Sequence, residues 1–212
     1  MMKTCRSIPL AAEFLFLSVL SLGLSGVAHA EDKPAPALAA APSQDEAMKV
    51  WIAMATPGAP HKALEAFAGT WDVRTKAWMA PGAPPMETTG SAENRMILGG
   101  RFLEQHYEAT MMGRQPFSGN GVAGFDNYKK KFVSTWIDSM STAVMVTQGT
   151  FDKAGKVLTA SGTMDDVVAK KPFKIKTKVT LLDADHHTYE LWRAGPDGKM
   201  VKDLEVQYTR KK

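Results

Sequence analysis

From Trp71 to the C-terminus, apolar residues recur at every second position through run after run, with only short turns between the runs. That period belongs to β-strands, whose successive side chains leave on opposite faces. Trp71, Val73, Ala77 and Met79 alternate with Asp72, Arg74 and Lys76. Phe173, Ile175, Thr177, Val179 and Leu181 alternate with Lys174, Lys176 and Lys178, the cleanest strand in the chain. Pro81-Gly82-Ala83-Pro84-Pro85, Asp152-Lys153-Ala154-Gly155 and Gly195-Pro196-Asp197-Gly198 supply the residues that turns need. About ten strands follow one another with no helix between them. The expected fold is all-β, a closed antiparallel up-and-down barrel rather than a sandwich.

Ahead of that body the period is helical. Ser43 and Glu46 form a capping box, and Met48, Trp51, Ile52 and Ala55 follow on one face until Pro57-Gly58 ends the helix. Pro60 suits the first turn of a second short helix carrying Leu64, Phe67 and Ala68. Two such helices are expected to cover one mouth or one side of the barrel.

Further back, Lys3 and Arg6 precede an apolar run from Ile8 to Leu24, and Ala28-His29-Ala30 is a small-x-small cleavage pattern. This reads as a signal peptide cut after Ala30, which places the protein in the periplasm or outside the cell with no stable membrane insertion after cleavage. The run is too rich in serine and glycine for an anchor. The expected division is a signal peptide over 1–30, an Ala/Pro-rich spacer over 31–42, helices over 43–68 and the barrel over 69–212.

Composition narrows the chemistry. Hydrophobic residues make up 44% of the 212-residue chain, enough for a real core. Cys5 is the only cysteine and precedes the cleavage site, which excludes a disulfide, a thiol nucleophile and a cysteine-held metal in the mature chain. A net charge of +4 with dispersed lysines leaves no nucleic-acid footprint.

Motifs for catalysis are missing as well. No Gly-x-Ser-x-Gly elbow occurs in the mature chain, and Ser134, Ser139 and Ser141 near Asp138 have no histidine beside them. Asp183, Asp185, His186 and His187 cluster in a short turn, but adjacent histidines in a strand point to opposite faces, so a solvated turn is the better reading. Asp165-Asp166 reads as another solvated turn. The thirteen methionines are scattered at strand spacing, which suits an irregular core better than a copper site. No catalytic residue, metal site or cofactor is assigned.

Several blocks resemble a bacterial family catalogued as a domain of unknown function. They are Leu64-x-x-Phe67-x-Gly69-Thr70-Trp71, Ile97 through Leu103, Gly124-Phe125-Asp126-Asn127, Ser134 through Ser139 and Tyr208-Thr209-Arg210-Lys211. Phe125 stands where that family usually has tyrosine. Gly69-Thr70-Trp71 also resembles the opening of lipocalin-like (calycin-like) barrels, in which a late arginine covers the tryptophan. The resemblance implies structural roles for Gly69, Trp71 and Arg210, with Arg210 lying across Trp71. Some such barrels hold haem through a histidine; here His106 shares its face with Glu104 and Glu108 and points outward, while His61 suits a cap, so haem is not expected.

If the apolar faces point inward, polar groups point inward with them: Gln105 and Tyr107 on one strand, Tyr189 and Arg193 on another, and Tyr208 on the last. With Trp136 they form the expected ligand-binding set. A buried arginine needs a carboxylate, water or a ligand anion, so Arg193 would suit an amphipathic acid unless it reaches solvent at the rim. The expected function is an exported binder of a small apolar or amphipathic molecule. Two alternatives stand beside it: a barrel enzyme using Asp138, Glu190 or a tyrosine as acid or base, and an envelope interaction module with a filled core.

Overall fold

A computed structural model describes residues 42–212 apart from Met112 and Pro196; the expected signal peptide and nearly all of the spacer lie outside the described residues. Pro42–Lys212 form one compact unit. Its body is ten antiparallel strands: β1 (Gly69–Ala77), β2 (Met86–Ile97), β3 (Phe102–Met111), β4 (Gln115–Asp126), β5 (Lys131–Asp138), β6 (Met145–Phe151), β7 (Val157–Asp166), β8 (Lys171–Leu181), β9 (His186–Ala194) and β10 (Met200–Arg210). Each pairs with its neighbour in sequence, and β10 returns to β1, closing the barrel.

The closing seam sets Trp71 opposite Arg210, Val73 opposite Tyr208 and Thr75 opposite Val206. Trp71 is 0% exposed. The Arg210 guanidinium lies 4.1 Å above its ring, a cation–π contact of about 0.5–2 kcal/mol. Alternation holds around the ring with one break, a bulge in β10 between Lys202 and Leu204. It inserts Asp203 and exchanges the faces of the residues on either side of it.

Before the ring come α1 (Gln44–Ala55), the four-residue α2 (Ala59–Lys62) and a 3-10 turn, Ala63–Phe67. Ser43 and Glu46 form the capping box of α1. In α2 the backbone N–H of Gly58 donates to His61 Nδ1 at 3.0 Å, so this histidine caps the helix.

Leu64 and Phe67 drive into one end of the barrel and pack with Leu103 and Phe132, ringed by Phe125, Phe151, Val179 and Leu181. This end is the base. Helix α1 departs from expectation: it buries no residue, and Trp51 is 75% exposed. Among the described residues it is tied down at its last turn, where Arg101 Nε donates to Ala55 O at 3.0 Å and Asn127 Nδ2 donates to Met54 O and Thr56 O, each at 2.9 Å. Those bonds satisfy carbonyls that a helix end leaves without partners. The base is thus plugged by α2 and the 3-10 turn, with no contribution from the apolar face of α1.

Candidate functional site

Above the plug the barrel is hollow. The lumen holds a cavity of about 530 Å³ whose wall is overwhelmingly apolar. That volume is within the range of small-ligand pockets, roughly 300–1,000 Å³.

Glycines in β4 make part of this room. A side chain at Gly119 would collide with the Trp136 indole and one at Gly121 would crowd it, so the two glycines form a shelf against which that ring rests. Trp136 Nε1 donates to Asp138 Oδ2 at 3.0 Å. Asp138 Oδ1 also accepts the Met140 amide at 2.9 Å, so both oxygens of this lumen carboxylate are engaged.

Of the expected binding residues, Gln105, Tyr107, Trp136, Tyr189 and Tyr208 all line the cavity. Tyr107 and Thr75 share a hydroxyl–hydroxyl hydrogen bond of 2.9 Å. Gln105 Nε2 donates to Asn94 Oδ1 at 2.9 Å, and Asn94 in turn donates to Phe67 O, also at 2.9 Å. The wall is thereby locked to the plug. Burial pushes the phenols of Tyr189 and Tyr208 far above their ordinary range, and that of Tyr107 upward against the pull of Thr75. Phenols so hard to ionise serve as neutral hydrogen-bonding groups rather than as bases.

Arg193 stands outside the residues that line the cavity, on the register opposite Ile175, and its guanidinium already has a carboxylate partner. Its Nε pairs with Asp203 Oδ1 at 2.9 Å, near the end where β9 turns into β10. Burial raises the Asp203 carboxyl above its usual range, outweighing the pull of Arg193. The bulge explains why the pair is hidden in the sequence, since simple alternation from Leu204 back to Lys202 skips the residue that meets Arg193.

Glu190 too has partners of its own. It stands on the outer wall, paired with Lys178 at 2.7 Å and with Lys202, and so cannot act as an acid or base in the lumen. Although burial would raise its carboxyl, the two lysines hold it below the usual range.

His106 is exposed and bonds to Asn120 at 2.9 Å and Glu108 at 3.2 Å. In the expected solvated turn, His186 does bond outward to Asp183 at 2.8 Å. His187, however, lines the cavity at 4% exposure. Its ring is stacked on Tyr208 with centroids 4.2 Å apart, and it meets the Trp71 and Phe67 rings edge-on. Its Nδ1 is buried without a hydrogen-bond partner among the described residues. Burial, and secondarily the nearby Arg210 charge, push the imidazole down to about 3, so it is neutral at physiological pH. Extending the Tyr189–Leu191 alternation back by two positions would have placed His187 inside; the neighbouring turn residues masked that signal.

A sealed base, a closed ring and a largely apolar chamber define the class of small single-chamber β-barrels. Within that class, the family model described as "Protein of unknown function (DUF1579)" matches residues 56–210, and the chain belongs to that family. Comparison with curated proteins gives no match. Among solved structures, Rv2717c from M. tuberculosis is similar at 15% identity and a TM-score of 0.56, covering 74% of this chain and 100% of its own. The S-type phycobiliprotein lyase CPES from Guillardia theta is similar at 11% identity and a TM-score of 0.54, covering 72% of this chain and 93% of its own. Both show the barrel fold.

Proposed function

We propose that this protein is an exported binder of one small, uncharged, largely apolar molecule held in the barrel lumen. The observation that carries the reading is the cavity of about 530 Å³, with scattered neutral polar groups from Gln105, Tyr107, Tyr208 and His187 on an apolar wall. An empty apolar chamber costs packing energy that a filled core would recover, which favours a ligand over the filled-core alternative. Among the described residues no lysine or arginine lines the chamber, which favours a neutral ligand over the amphipathic acid that Arg193 had suggested. In the enzyme alternative, Glu190 faces outward and both Asp138 oxygens accept structural hydrogen bonds. Export rests on the N-terminal cleavage pattern alone.

Titration with a neutral apolar fluorophore such as N-phenyl-1-naphthylamine tests the lumen. Ala109→Phe puts a ring into the chamber, because Ala109 is part of its lining. Fluorophore affinity should fall roughly tenfold or more, as expected when a ligand loses the apolar area it buries. Unchanged affinity in a folded Ala109→Phe protein would overturn the reading.

A further inference from the structure

The neutral polar groups of the chamber fall into two sets. Those of β1, β2 and β3 are engaged within the protein: Tyr107 bonds to Thr75, and Gln105 bonds to Asn94, which bonds to the plug. Gln105 also stands in reach of the Tyr208 phenol on β10. Across the chamber, Ser134 and Thr147 share a hydrogen bond of 2.8 Å. The set on β9 is different. Among the described residues, neither the Tyr189 hydroxyl nor the His187 imidazole makes a hydrogen bond, although both side chains line the cavity.

These two groups are neighbours. They stand two positions apart on one strand and so share the lumen face. In the register with β10, Tyr208 lies beside His187 and Val206 beside Tyr189. His187 is 4% exposed and held at the inner end of the chamber by the Tyr208 ring and the edges of Trp71 and Phe67. Leaving a buried polar group unpaired destabilises a fold, and native chains keep few of them. Two on one face of one strand, at the wall of a hollow chamber, point to a partner from outside the chain.

The nitrogens of His187 are not equivalent. Nδ1 is the one enclosed by protein, which leaves Nε2 to meet the chamber. An enclosed lone pair costs less than an enclosed N–H, so the single proton of the neutral ring belongs on Nε2. Nε2–H is then one donor toward the lumen, and the Tyr189 O–H is a second. The matching group is an uncharged acceptor with two lone pairs, a carbonyl oxygen. A carboxylate would bring a charge that, among the described residues, no lining lysine or arginine balances. The far end of the chamber, its mouth, lies opposite the plug, where the β1–β2, β3–β4, β5–β6, β7–β8 and β9–β10 connections emerge. Met86, Met111, Met145 and Met164 line the chamber toward that end, a deformable apolar surface for the rest of a ligand.

We propose that the ligand is a neutral carbonyl compound, its oxygen held inward by His187 Nε2 and the Tyr189 hydroxyl and its hydrocarbon part lying toward the mouth. This rests on the lumen reading above and adds the polar end of the molecule to it. Isothermal titration calorimetry with three matched probes is the test: 2-acetylnaphthalene, 2-ethylnaphthalene, which lacks the oxygen, and 1-(2-naphthyl)ethanol, whose hydroxyl hydrogen would lack an acceptor. The ketone should bind roughly tenfold tighter than the hydrocarbon, and tighter than the alcohol. Tyr189→Phe and His187→Phe keep the shape of the wall. Each should weaken ketone binding roughly fivefold and leave the hydrocarbon within about twofold, and the double variant should erase the preference. Ketone and hydrocarbon binding alike, the alcohol binding best, or a preference that survives in the double variant would each overturn the inference while the lumen reading stands. The same holds if no probe binds although N-phenyl-1-naphthylamine does. If that fluorophore also fails to bind, the lumen reading falls and this inference with it.

Discussion

The two ends of the barrel solve opposite problems with similar residue types. At the base, Phe67, Phe125, Phe132 and Phe151 meet one another and the plug, and the polar backbone there is satisfied by an arginine. Arg210 donates to Ala68 O at 2.7 Å, Ala66 O at 3.1 Å and Ala184 O at 3.0 Å while covering Trp71. At the mouth, apolar side chains face water, and Arg193 makes one half-exposed ion pair. An arginine contributes to stability according to what its guanidinium replaces, and Arg210 satisfies three backbone carbonyls, two of them part-buried, where Arg193 pairs with one carboxylate.

Arg210→Ala against Arg193→Ala is the sharpest way to break that contrast. Removing Arg210 leaves three carbonyls short of donors and uncovers Trp71; urea unfolding should show a loss of about 3 kcal/mol or more. Removing Arg193 should cost about 1 kcal/mol or less, and equal losses would erase the distinction between the ends.

Gly69→Ala attacks the same base from the backbone. Gly69 has a φ of 129°, and a β-carbon there would collide with the Arg210 guanidinium. A loss of about 2 kcal/mol is expected, and little further loss when the change is added to Arg210→Ala, since the two share one contact.

His187→Phe should have the smallest effect at neutral pH. Substituting a ring of similar shape removes a buried nitrogen that has no partner, so unfolding free energy should stay level or rise by up to about 1 kcal/mol. The histidine's folded pKa of about 3 lies below its ordinary 6.5. Its contribution is therefore fully present above pH 6.5 and is lost as the pH falls toward 3. Within that window wild-type stability should fall with a component of up to about 1.4 kcal/mol per pH unit that His187→Phe lacks. Parallel pH profiles for the two proteins would show that the imidazole is not held neutral.

Much of the base was legible in the sequence. Alternation and turn residues pointed to about ten successive strands in an up-and-down barrel, because a half-buried sheet imposes both signals at once. Trp71 and Arg210 were readable as a pair from the resemblance and from their common lumen face. The mouth was harder to read. A single bulged residue, Asp203, exchanges the faces of β10 and hides the partner of Arg193. His187 sits beside the solvated turn residues Asp183 and Asp185 and carries their signature, although its side chain turns inward. The apolar face of α1 was misread for another reason: helical periodicity reports that a face exists, not that anything in the same chain covers it.

Because β1 pairs with β10, the first and last strands of the domain are partners at the greatest sequence distance the ring offers. Until Arg210 has left the ribosome and reached its site, Trp71 has no cover and β1 presents a bare row of amides. Closure is then the one long-range pairing in a ring otherwise built from sequence neighbours, and its loop entropy must be met before the seam forms. Losing β10 would expose two edges at once, on β1 and on β9, and convert a closed cylinder into a template for pairing with other chains.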